Sequence, residues 1–113
     1  MYNDDPSNNL PWSEQYRLAG LFWADREAAA QLLEDSKSAI MAQWQTELGD
    51  LPVNRAEQTV KASARWRDYI LDTVKAREAA NVAKIELEYL RMKSMEYQAK
   101  EANQRTELRI LGR

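Results

Sequence analysis

The stretch RAEQTVKASARWRDYILDTVKAREAANVAKIELEYLRMKSMEYQAKEANQRTELRIL, residues 55–111, decides the fold. It holds neither Gly nor Pro, and Ala, Glu, Lys, Arg and Leu, all good helix formers, dominate it. Glu57–Lys61, Glu96–Lys100 and Glu101–Arg105 are acid-to-base pairs four residues apart, each adding a few tenths of a kcal/mol to a helix. Just upstream, Asn54 followed three residues later by Glu57 forms a capping pattern. Gly112 supplies the stop. The stretch therefore predicts one helix over 54–111, about 85 Å long at 1.5 Å per residue.

Working upstream, Gly49-Asp50-Leu51-Pro52-Val53 reads as a short loop over 49–53. Short connections join antiparallel neighbours. Before it, apolar or small residues recur at Leu18, Leu21/Phe22, Ala29, Leu32/Leu33, Ser36, Ile40, Trp44 and Leu48. That three-and-four spacing marks one face of a helix over 12–48. Pro11 suits a helix start, Gly49 its end, and Asp25 interrupts the stripe. Residues 1–11, with Asn, Asp, Ser and two Pro, read as a flexible tail. The expected fold is all-α: one helical-hairpin domain over 12–113 whose second helix outruns the first, assembling as a coiled-coil-like bundle.

Composition fits a thin helical assembly. Sixteen residues are Ala, and only 21 of 113 are Leu, Ile, Val or Phe, near the level where a compact core becomes doubtful. Small side chains let helices pack closely while charged faces stay wet. A loose seven-residue pattern runs through Leu71, Val74, Ile85, Met92, Met95, Ala99, Ala102 and Thr106, with Glu78, Asn81 and Glu88 also falling on it. The chain has no Cys and no His. Disulfide frameworks, thiol nucleophiles, His-based triads and Cys/His zinc sites are thereby excluded. Neither a Gly-rich phosphate loop nor a Gly-x-Ser-x-Gly turn is present. Carboxylates come in pairs at Asp4/Asp5, Glu34/Asp35, Asp68/Asp72 and Glu86/Glu88, but no Glu-x-x-His accompanies them. The expectation is a non-enzymatic protein with no cofactor, no metal and no small-molecule ligand. No apolar run approaches a membrane span, and the acidic, polar start lacks the character of a signal peptide, so a cytoplasmic location is expected.

Three surfaces are candidate sites. The first follows from length. Folding helix 12–48 back along helix 54–111 sets Trp12 near Arg91 and leaves an overhang of about 30 Å. That end carries Arg91, Met92, Met95, Tyr97, Ala99, Ala102, Leu108 and Ile110. An isolated helix of that size is marginal in water, so a second copy, another protein or a bend that folds the end back is expected to cover it, with Trp12 at its edge and a second copy favoured; a frayed, solvated end is the plain alternative. The second surface is a basic-aromatic face: Lys61, Arg65, Trp66, Arg67, Tyr69, Lys75 and Arg77. Cations along a backbone and aromatics that stack on bases are what single-strand nucleic-acid binding needs, although a pI near 5.2 and the habit of Trp to anchor cores both weigh against it. The third is acidic. Residues 1–50 carry a net charge of −6 and residues 51–113 carry +4, and Glu27, Glu34, Asp35, Glu47 and Asp50 can mimic a DNA backbone toward a basic channel. Ordinary solvated helix faces explain the same charges.

Residues 76–84 (AREAANVAK), Tyr89, Tyr97 and residues 102–108 (ANQRTEL) resemble small helical proteins of phages and prophages encoded near recombination and single-strand annealing genes. The likeness covers residues 65–110. It implies a phage accessory protein that assembles with itself and acts on recombination or nuclease machinery in the host cytoplasm. The alternatives are direct nucleic-acid binding and inhibition of a host nuclease or defence complex.

Overall fold

The computed structural model describes residues 10–112, so most of the tail expected over 1–11 lies outside the described residues. The chain is all-α, with α1 Trp12–Asp35, α2 Lys37–Glu47, α3 Val53–Lys61 and α4 Ala64–Leu111. It divides into two compact units, residues 24–82 and residues 1–23 with 83–113.

In the 24–82 unit each arm of the expected hairpin is interrupted once. At Ser36 (φ −82°, ψ −8°) the backbone ladder continues, with the Ser36 amide on Leu32 O at 3.0 Å and Ile40 N on Ser36 O at 2.9 Å. The single helix expected over 12–48 is thus two helices sharing one ladder. Gly49 closes α2 in the left-handed region (φ +79°), its amide donating to Thr46 O, a conformation glycine adopts without steric cost. The loop expected over 49–53 lies over 48–52, the same length but one residue earlier, because α2 ends at Glu47 and α3 starts at Val53. Pro52, with φ −55° and ψ 144°, is the last non-helical residue, and its carbonyl already accepts the Ala56 amide at 2.9 Å. Asn54 therefore lies inside the helix and caps nothing, while Glu57 pairs with Lys61 at 2.9 Å.

The helix expected over 54–111 breaks at Ala62–Ser63. Ser63 performs both the stop and the restart. Its hydroxyl donates to Val60 O at 2.6 Å and accepts the Trp66 amide at 3.2 Å. This is an N-cap bond to the third helical residue. From Ala64 to Leu111 the helix has no further interruption. Ser63→Ala is expected to lower stability by about 1 kcal/mol, the usual worth of such a cap, read as a reduced urea midpoint at unchanged slope.

The core of the 24–82 unit is aromatic. Val60, Trp66 and Tyr69 are buried, with Leu33, Ile40, Met41, Trp44 and Ile70 packed against them. Trp66 and Tyr69 stack at 5.5 Å, and the Trp44 ring meets both edge-on at 6.0 and 6.2 Å, geometries that aromatic pairs favour. The Tyr69 hydroxyl donates to Leu33 O, tying α4 to α1. Arg77 on α4 makes a two-pronged contact with Glu34 (2.7 and 2.8 Å) and reaches Glu27 at 2.6 Å. Leu33 opposite Tyr69, and Glu27 opposite Arg77, establish that α1 and α4 run antiparallel.

In the second unit the antiparallel arrangement recurs, with the Trp12 ring 6.3 Å from that of Tyr97 and Gly20 close to Leu87. Trp12 therefore pairs beyond Arg91, the position expected from backbone rise alone. Side chains lean toward the N-terminus of their own helix. In an antiparallel pair, Trp12 thus reaches toward the carboxyl end of α4 while Tyr97 leans back to meet it. Among the described residues, α4 is exposed on every side after Tyr97, from residue 98 to residue 111.

Candidate interaction surface

The inner face of α4 advances in alternate steps of three and four. In the 24–82 unit it is Trp66, Tyr69, Thr73, Ala76 and Ala80; in the other it is Ala83, Leu87, Leu90 and Ser94, all buried or half-buried. The larger aliphatic residues of the sequence pattern occupy the opposite side. Leu71 and Val74 are exposed in the first unit. In the second, Ile85 is 63% exposed, and Met92 and Met95 are each 57% exposed. Ala99, Ala102 and Thr106 continue the exposed row. The stripe expected over 12–48 divides. Leu18, Leu21, Phe22 and Leu32 are exposed, and the inward positions beside them are Ala19, Trp23 and Ala30, while Leu33, Ile40 and Trp44 of the stripe do pack against the core.

At 100° per residue, Ile85, Met92, Met95, Ala99, Ala102 and Thr106 fall within one side of the helix. Tyr89 joins them at its edge and is 52% exposed. Exposed apolar rows of this kind mark interaction sites in soluble proteins, and methionine adapts to irregular partners. Ile85 and Tyr89 extend the predicted overhang surface by two turns. The seven-residue pattern already contained Ile85, and Tyr89 follows it by four. The remaining predicted members separate. Trp12 and Tyr97 engage one another, with Lys93 Nζ 6.0 Å from the Trp12 ring and 5.6 Å from that of Tyr89. Arg91 flanks the row, and Leu108 and Ile110 are exposed on the last turns.

The predicted basic-aromatic face is largely taken up internally. Trp66 and Tyr69 are 7% and 8% exposed, within the core. Arg65 lies 4.0 Å over the Trp44 ring and pairs with Glu47 at 2.8 Å. Lys61 pairs with Glu57, and Arg77 with Glu27 and Glu34. Arg67 and Lys75 are exposed. The predicted acidic face is engaged by the same bonds: Glu27, Glu34 and Glu47 each meet an arginine, Asp35 accepts from the Gln31 amide at 2.9 Å, and Asp50 is exposed. Among the described residues, no cluster of three or more acidic side chains is placed to hold a metal ion, and no helix is long and apolar enough to cross a membrane.

The Arg77 fork is the strongest polar feature. Its hydrogen bonds hold the Glu34 carboxyl below the usual glutamate range and raise the guanidinium, through Glu34 first and Glu27 second. A carboxyl whose folded value is depressed contributes stability above its unfolded value and loses it as pH falls through the folded one. Stability is therefore expected to decline on acidification through and below the ordinary glutamate range. Glu34→Gln should flatten that decline in urea melts taken at successive pH values.

Comparison with protein-family models, with curated proteins and with solved structures gives no match to this chain.

Proposed function

We propose that the chain is a non-enzymatic interaction module that works by docking protein helices on the outer face of α4. The carrying observation is the exposed apolar row from Ile85 to Ala102, on a helix whose inner face is already occupied by its own chain. Anchoring side chains in such a row gain roughly 1.5–3 kcal/mol each when fully covered. The resemblance of residues 65–110 to phage and prophage proteins supports a partner within recombination or nuclease machinery and a role as a phage accessory protein. Nucleic-acid binding and DNA mimicry have less support, since most of their charged and aromatic groups are engaged within the 24–82 unit.

The test compares the tagged full chain with a Met92→Glu/Met95→Glu variant of unchanged helix content, each used to capture proteins from host lysate. The expected result is a nuclease or recombination subunit held by the parent chain and lost by the variant. Equal capture by both would contradict docking on this face.

A further inference from the structure

The charges beside the outer row favour a particular occupant. On one flank stand Lys84, Arg91, Gln98 and Arg105; on the other, Tyr89, Glu96 and Asn103. All seven are exposed. The first flank carries no acid. Two helices meeting in a seven-residue seam bring different flanks together when parallel, and each flank against its own kind when antiparallel. An antiparallel pair of copies centred on this face would set bases against bases, Arg91 against Arg105 or Lys84 against Arg105. A parallel pair in register sets Arg91 of each copy opposite Glu96 of the other, five residues on, giving two symmetric ion pairs around Met92 and Met95.

We propose that the outer face of α4 over residues 85–106 receives the same face of a second copy, parallel and in register. This rests on the docking reading and names the occupant of the row; capture of a further protein that is lost in the Met92→Glu/Met95→Glu variant then reads as capture by the dimer. The interface is isologous: Ile85, Met92, Met95, Ala99, Ala102 and Thr106 each meet their own counterpart across a two-fold axis. The alanines bring the backbones close toward the carboxyl end, and the methionines fill the wider middle. One position opposes the pairing. Glu88 also falls on the row, and in the parallel register it faces its copy. Removing that charge with Glu88→Gln should tighten the dimer a few-fold.

The absence of native cysteine makes cross-linking a clean test. A disulfide needs Cα atoms roughly 4.4–6.8 Å apart. In the parallel register a Met92→Cys variant meets that condition against its own copy; in an antiparallel seam position 92 lies opposite position 95 or 102, according to register, and not opposite itself. The expected result with the full chain under mild oxidant is rapid dimer formation by Met92→Cys chains with no second variant present. A mixture of Met92→Cys and Ala102→Cys chains should give no excess of mixed dimer. Preferential 92–102 linkage, or no linkage at concentrations where the variant keeps its helix content, would overturn the proposal. If linkage fails while capture of a partner still depends on Met92 and Met95, the occupant is wrong and the docking face stands. If capture is indifferent to those residues as well, both fall.

Discussion

Replacing Trp66 by alanine is expected to cost about 3–5 kcal/mol, the range for large aromatic truncations in cores. Trp66 is the element on which the 24–82 unit converges: its ring stacks on Tyr69, meets Trp44 edge-on, and belongs to the buried cluster with Val60. The surrounding residues are few. Leu33, Ile40, Met41 and Ile70 are only partly buried, so no larger core stands behind the ring to absorb its loss. Domain stabilities are typically about 5–15 kcal/mol, and a loss of this size removes a large share. Denaturant melts followed by far-ultraviolet circular dichroism should show a much lower midpoint. Trp66→Phe should recover part of it by restoring a stacked ring. A loss below about 1 kcal/mol for the alanine variant would mean that the aromatic cluster does not hold the unit together.

The second large effect runs the other way, by adding bulk. Ala80 on α4 and Ala30 on α1 have no exposed surface at all. Ala80→Leu inserts three carbons into a closely packed face, and overpacking of this kind costs about 1–3 kcal/mol. Ala79→Leu, one residue away on an exposed part of the helix, is the control. It should change stability by no more than about 0.5 kcal/mol. Equal effects at the two positions would contradict the assignment of the inner face.

These two variants mark what was and was not legible in the sequence. Helix existence was readable from the Gly- and Pro-free run 55–111 and from the Gly49 stop. The breaks were not. Ser63 ends one helix and caps the next, yet nothing acidic follows three residues on, and Ala62 and Ala64 on either side favour continuation. The inner seam was hidden because it is made largely of Thr73, Ala76, Ala80, Ala83 and Ser94. Hydropathy weighs such residues lightly, although their small size is what allows close packing. The row that stood out, Ile85 to Thr106, stood out because it carries larger apolar groups, and the fold leaves it outward. A hydrophobic pattern records every face that is to be covered, whether by the chain itself or by something else. The fate of the basic-aromatic face was equally illegible. Arg65, Arg77, Glu27, Glu34 and Glu47 meet across 18 to 50 residues of chain, a pairing that only the antiparallel register specifies.

The central claim is that α4 carries two packing faces, one filled by its own chain and one open to another. Sedimentation equilibrium over a wide concentration range tests it most directly. The account predicts that the full chain moves from 13.1 kDa toward twice that mass as concentration rises. Met92→Glu/Met95→Glu should hold it at the lower value with its helix content intact. A species fixed at 13.1 kDa at every concentration, or a dimer indifferent to those two substitutions, would contradict it.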